Sequence, residues 1–182
     1  MSVMDDLVRG VVPEGYKIEL FEGRVIMTPR SPEQDWTVSD VRDAAKSAGI
    51  SRDRILSDVL IKFPGENDAA PDLTIITGGA TRSGNSFTCV DVLAVVEIPS
   101  EPDDEKDYVR NVHKYSRYGI PSYLIADPFR RVCTLMTEPH ANGYGSTEEI
   151  PYGEELTLRL VTGETVRVDT GSFPVREDPA GH

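Results

Sequence analysis

The run Asp91-Val92-Leu93-Ala94-Val95-Val96-Glu97-Ile98 constrains this chain most. It is apolar almost throughout and far too short to cross a bilayer, so it is expected as a central strand covered on both faces. A strand of that kind needs a packing layer on each side of a sheet. It also ends in a carboxylate, Glu97, and a charge there is costly unless something uses it. A second predicted strand runs through Pro71-Asp72-Leu73-Thr74-Ile75-Ile76 and opens on Asp72. Two acidic side chains therefore fall at the ends of neighbouring strands, an arrangement able to share one divalent cation.

The other elements follow from local signals. Tyr16 to Phe21 and Arg24 to Met27 read as a hairpin turning at Glu22-Gly23. Ser31-Pro32-Glu33-Gln34 starts a helix, with Ser31 as N-cap, Pro32 in the first turn and Gln34 closing a capping box. Trp36, Val41, Ala44, Ala45 and Ala48 supply its apolar side, and Gly49 suits its end. Ile55, Val59, Ile61 and Phe63 alternate as one strand region. Pro64 to Ala70 and Gly78 to Asn85 read as connections. A helix is expected from Asp104 to Tyr118, burying Tyr108, Val112 and Tyr115, followed by strands at Ser122 to Asp127 and Val132 to Met136. Three short strands, Tyr144 to Ile150, Leu156 to Leu160 and Val166 to Val168, complete an antiparallel C-terminal part. The expected organisation is an extension over 1–15, one α/β domain over 16–170 and a loosely attached tail over 171–182.

Composition narrows the function classes. The chain has 182 residues, 19 basic and 31 acidic, and a formal net charge of −12. That excludes coating nucleic acid by bulk electrostatics and leaves room only for a localised basic face. Lys106, Arg110, Lys114 and Arg117 form such a candidate, falling along one stripe of the predicted helix. Solvated helix faces commonly look the same, but this one follows directly on Glu97. Cys89 and Cys133 are expected as buried thiols of a reducing cytoplasm, and the three histidines show no zinc-type spacing. No signal peptide or membrane span is apparent.

The order helix-strand-strand-strand-helix-strand, with Asp72 and Glu97 on its second and third strands, resembles the PD-(D/E)XK nuclease superfamily. More specifically, the chain resembles the Uma-two family, described as restriction endonucleases. The stretch Ile18-Glu19-Leu20-Phe21-Glu22-Gly23-Arg24-Val25-Ile26-Met27 is similar to that family's opening hairpin. Pro71-Asp72, Glu97-Ile98-Pro99-Ser100, the segment from Tyr115 through Gly119-Ile120-Pro121 to Asp127-Pro128, and Ser172-Phe173-Pro174-Val175 follow in the family's order.

The resemblance implies a restriction-endonuclease-like fold: a mixed central sheet flanked by helices, with the N-terminal hairpin and C-terminal antiparallel strands. It implies a metal-dependent endonuclease acting on nucleic acid, DNA by expectation, as a cytoplasmic homodimer. Mg²⁺ or Mn²⁺ would be held by Asp72 and Glu97, with the backbone carbonyl of Ile98 as a further ligand. The superfamily's lysine belongs two residues after the Glu, where Pro99 stands, or on the following helix, where Asn111 stands. Lys114, one turn on, is the first candidate to replace it, with Arg110 behind. Lys106, Arg110, Lys114, Arg117 and the loop Gly78 to Phe87 would contact phosphates. Glu33 and Asp35 are weaker candidates for the metal's surroundings, since acidic residues commonly favour a helix start. The alternative is a catalytically degenerate member that binds nucleic acid or a protein partner, Asn111 marking the lost lysine.

Overall fold

The computed structural model describes residues 16–180; the extension expected over 1–15 lies outside them. Strands β1 (Tyr16–Phe21) and β2 (Arg24–Pro29) form the expected hairpin. Glu22 and Gly23 both take positive φ, 48° and 73°, as a tight two-residue turn requires. Helix α1 (Pro32–Ser47) begins with the capping box: Gln34 N–H donates to Ser31 Oγ, and Ser31 N–H donates to Gln34 Oε1. Strand β3 (Ile55–Leu56), β4 (Leu60–Lys62), β5 (Leu73–Ile76), β6 (Ser86–Thr88) and β7 (Val92–Glu97) follow.

Helix α2 is wound as a π-turn over Lys106–Arg110 and as an α-helix over Asn111–Arg117. Strands β8 (Ser122–Asp127), β9 (Val132–His140), β10 (Gly143–Pro151), β11 (Glu155–Arg159) and β12 (Thr165–Asp169) complete the chain.

Six strands make the central sheet, in the order β10-β9-β8-β7-β5-β3. Among the described residues of this sheet the β7–β8 pair is the parallel one, and α2 is the crossover between them. The apolar run of β7 lies inside the sheet and is buried at every position, as its composition requires. One face packs on α1 and the β11–β12 hairpin, through Val38, Val41, Leu73, Val96, Leu158 and Val166. The other packs on α2 and β4, through Ile61, Ile76, Val95, Tyr115, Tyr123 and Ile125. Cys89 and Cys133 are buried free thiols. No helix among the described residues is long and apolar enough to cross a membrane.

Three local expectations are corrected. The single strand expected from Ile55 to Phe63 is two strands: Asp58 adopts φ 54°, and the chain leaves the central sheet there to pair β4 with β6. Trp36 is 59 % exposed rather than core, because it stands opposite the Val38-Val41-Ala45 stripe on a 3.6-residue period. The segment after Gly171 is docked at least as far as Arg176. Phe173 is buried edge-on against Tyr152 at 5.3 Å, and Arg176 N–H donates to the Pro128 carbonyl at 3.0 Å. Phe173→Ala should therefore destabilise the protein by roughly 3–5 kcal/mol, read by denaturant unfolding. A loss under about 1 kcal/mol would show the tail to be dispensable.

Candidate active site

The β5–β7 ladder pairs Leu73 with Val96, and one step further along it Asp72 stands opposite Glu97. Strand alternation then aims both carboxylates at the α2 side, Glu97 in phase with Val95 and Asp72 in phase with Ile76. Both are almost fully buried, at 1 % and 2 % exposure. Lys17 reaches them from β1. Its ammonium lies 2.6 Å from Glu97 Oε2 and 3.1 Å from Asp72 Oδ1, so the carboxylates converge on one cation. Asp72 Oδ2 accepts the Ile98 N–H at 2.8 Å, and Glu97 Oε1 accepts the Tyr115 hydroxyl at 3.1 Å. Arg30, which also pairs with Asp58, stands 3.4 Å from Asp72 Oδ1.

More charge surrounds this pair. Lys106 Nζ lies 2.8 Å from Glu19 and 3.4 Å from Asp107. Asn111 Nδ2 donates to Asp107 Oδ1 at 3.1 Å, whereas buried Asp107 Oδ2 has no hydrogen-bond partner. Four carboxylates, Glu19, Asp72, Glu97 and Asp107, thus crowd two ammonium groups. The titration behaviour follows from that imbalance. Burial would raise Asp72, but the Lys17 ammonium and the Ile98 N–H hold it low. Burial pushes Glu97 up to about 8, with Asp72 and Asp107 adding to it against the pull of Lys17. Burial likewise pushes Asp107 up to about 6. Lys17 keeps its proton despite burial because Asp72 and Glu97 hold it.

An excess of buried carboxylate, one orphaned oxygen and convergence on a single cation suit a hard divalent ion. Among the described residues, three or more His, Cys, Asp or Glu side chains nowhere group to hold a metal. Two carboxylates completed by waters are nonetheless an ordinary Mg²⁺ environment. Gln34 Nε2 donates to the Ile98 carbonyl at 3.1 Å, so Gln34 both caps α1 and tethers it to the end of β7.

The basic stripe is only partly realised. Lys106, Arg110, Asn111 and Lys114 line one cleft of about 640 Å³ with Glu97 and Tyr115. Arg117 instead pairs with Glu66 at 2.9 Å. The Lys114 ammonium donates to the Asn67 carbonyl and sits 4.5 Å above the Phe63 ring, away from both carboxylates. Glu33 and Asp35 lie in the first turn of α1, Glu33 half-buried and Asp35 exposed, with Asp35 facing Arg30 at 3.5 Å. A second cleft of about 730 Å³, bounded by Arg54, Asp58, Arg82, Asn85 and Phe87, shares Ala70 with the first.

Lys17 and Glu19 escaped sequence reasoning. Their signal was faint: two charges on alternate positions of a predicted strand, hence on one face. Nothing local ties them to acids 55 and 80 residues away.

The mixed sheet, the helix on each face and the N-terminal hairpin define a restriction-endonuclease-like fold. One similar solved structure is a "putative nuclease belonging to DUF820 from Anabaena variabilis ATCC 29413", with a TM-score of 0.57 and 17 % identity. The likeness covers 87 % of this chain and 89 % of that one, and it speaks for the fold. The chain belongs to the Uma2 family, described as "Putative restriction endonuclease", which it matches over residues 4–170. No curated protein matches it.

Proposed function

We propose that this chain is a divalent-metal-dependent endonuclease hydrolysing nucleic-acid phosphodiester bonds, with DNA as the favoured substrate. The observation that carries this reading is the convergence of buried Asp72 and Glu97 on one cation, with Glu97 lining a cleft whose wall carries Lys106, Arg110 and Lys114 among the acids Glu19, Glu66 and Asp68. Asp72 and Glu97 would hold Mg²⁺ or Mn²⁺, with the Ile98 carbonyl at hand. When bound, the metal supplies a water of lowered pKa and offsets charge on the phosphate.

The chain's own groups do the rest. Ile98 N–H fixes Asp72, and the Tyr115 hydroxyl orients Glu97. Lys106, Arg110 and Lys114 bring positive charge to the cleft wall, where a phosphate backbone could lie despite the net charge of −12. The second cleft, which shares Ala70 with the first, would offer further room for nucleotide. Two copies would let both strands of a duplex be cut.

One observation favours a second reading, a non-catalytic binding module: Asn111 bonds Asp107 from the helix position where the family resemblance expects lysine. Cleavage separates the two. Supercoiled and linear DNA, single-stranded DNA and RNA are incubated with Mg²⁺ or Mn²⁺, using wild type, Asp72→Ala and Glu97→Ala. The nuclease reading expects metal-dependent nicking that falls to background in both variants. Cleavage surviving both substitutions would remove Asp72 and Glu97 from the site.

A further inference from the structure

We propose that Lys17, delivered by the N-terminal hairpin, is the lysine of this site and replaces the ammonium that Asn111 does not provide. The inference rests on the nuclease reading above and names the group that reading leaves open. Position decides it. Among the described residues, Lys17 is the lysine whose ammonium contacts both Asp72 and Glu97, at 3.1 and 2.6 Å. Lys106 is committed to Glu19 and Asp107, at 2.8 and 3.4 Å. Lys114 is held on the Asn67 carbonyl and the Phe63 ring. Asn111 donates to Asp107 and carries no charge to offset a developing phosphorane.

Lys17 is also placed to act, not only to neutralise. It borders a small cleft of about 250 Å³ together with Ile98, Lys106 and Arg110 and the acids Glu19, Glu101 and Asp104, so its ammonium links the buried pair to a space that also holds two further cations. A purely structural role is a poor account of it. A buried ion pair seldom stabilises a fold more than apolar packing of the same volume, and here an entire charged cluster is retained. Lys17 also secures the hairpin to the central sheet through Asp72 and Glu97, so the test separates that structural share from a role in cleavage. With a metal on Asp72 and Glu97 the ammonium would give up part of these contacts, and from beside them its flexible stem would let it orient a nucleophilic water and offset phosphate charge. What the site specifies is a cation at one point in space, and either strand β1 or helix α2 could supply it.

The test uses the full chain, with plasmid cleavage in Mn²⁺ and calorimetric titration of Mn²⁺ as separate readouts. Lys17→Met is expected to slow cleavage by at least about 100-fold, the scale of losing one charge-stabilising group. It should bind Mn²⁺ no more weakly than wild type, because it removes a competing cation from Asp72 and Glu97. Adding Asn111→Lys to Lys17→Met should restore most of the lost cleavage, which a merely structural lysine would not allow. Lys17→Gln, which keeps a hydrogen-bond donor, stands in if Lys17→Met does not fold. Cleavage by Lys17→Met at the wild-type rate overturns the inference. So does a double variant that binds Mn²⁺ yet is no faster than Lys17→Met, or a silent wild type alongside an active Asn111→Lys. Mn²⁺ binding unaffected by Asp72→Ala overturns the metal site beneath it, a failure distinguishable because it is read by metal titration with Lys17 unchanged and without any cleavage readout.

Discussion

Lys17→Met lowers the stability of the metal-free protein by about 3–5 kcal/mol near neutral pH, the range for removing one partner from a buried charged set. The size of the effect comes from what is left behind. Asp72 and Glu97 are almost fully buried, and without Lys17 their nearest compensation is the Arg30 guanidinium 3.4 Å from Asp72 and hydrogen bonds from Ile98 and Tyr115. Urea unfolding followed by circular dichroism measures it, and added Mn²⁺ should recover part of the loss by mass action. A change under about 1 kcal/mol would mean that the cluster discharges by protonation at little cost, and that Lys17 does not govern it.

Glu97→Gln should separate stability from activity. Folding raises the Glu97 carboxyl from its ordinary 4.5 to about 8, burial being the largest cause. A raised carboxyl takes up a proton on folding, so its contribution to stability is fully present below pH 4.5 and is lost as pH rises through about 8. Glutamine resembles the protonated acid at every pH. The metal-free variant should therefore match wild type in mild acid and melt several degrees higher above pH 8, while cleavage falls to background. Thermal melts at pH 5 and pH 9 check the first half, and the plasmid assay the second. A variant that melts lower than wild type at pH 9 would show that the Glu97–Lys17 ion pair outweighs the cost of burying the charge.

The elements that sequence periodicity reveals best are those whose constraints are local. The capping box at Ser31, the Glu22-Gly23 turn and the unbroken apolar run of β7 each act through a few neighbouring residues, and each is found where its signal lies. The break at Asp58 was not legible, because a left-handed residue inside an alternating pattern leaves the alternation intact. The Asp72–Glu97 pairing was legible as two strand ends, since both acids sit at the boundaries of apolar strands consecutive in the central sheet, although residues 77–91 and strand β6 lie between them. The identity of the cation between them was not. It depends on where a separate hairpin comes to rest against the sheet, and no property of Tyr16 to Phe21 alone encodes that. The same limit explains Lys114: helical spacing set its direction from Asn111, but not the Asn67 carbonyl and Phe63 ring that hold it.

The self-paired hairpin β1–β2 has one more consequence. Its strand hydrogen bonds are closed within itself, while its grip on the rest of the described protein includes Lys17, Glu19 and Arg30. Main-chain order and the order of the charged cluster are therefore formed by different forces, one by ladder bonds and apolar burial, the other by long side chains meeting at a point. High ionic strength, which reaches the partly exposed contacts of Glu19 and Arg30 sooner than the sheet's interior, would loosen the second before the first. The scaffold could then outlast the cluster, so an intact circular dichroism spectrum would be no guarantee of an assembled one.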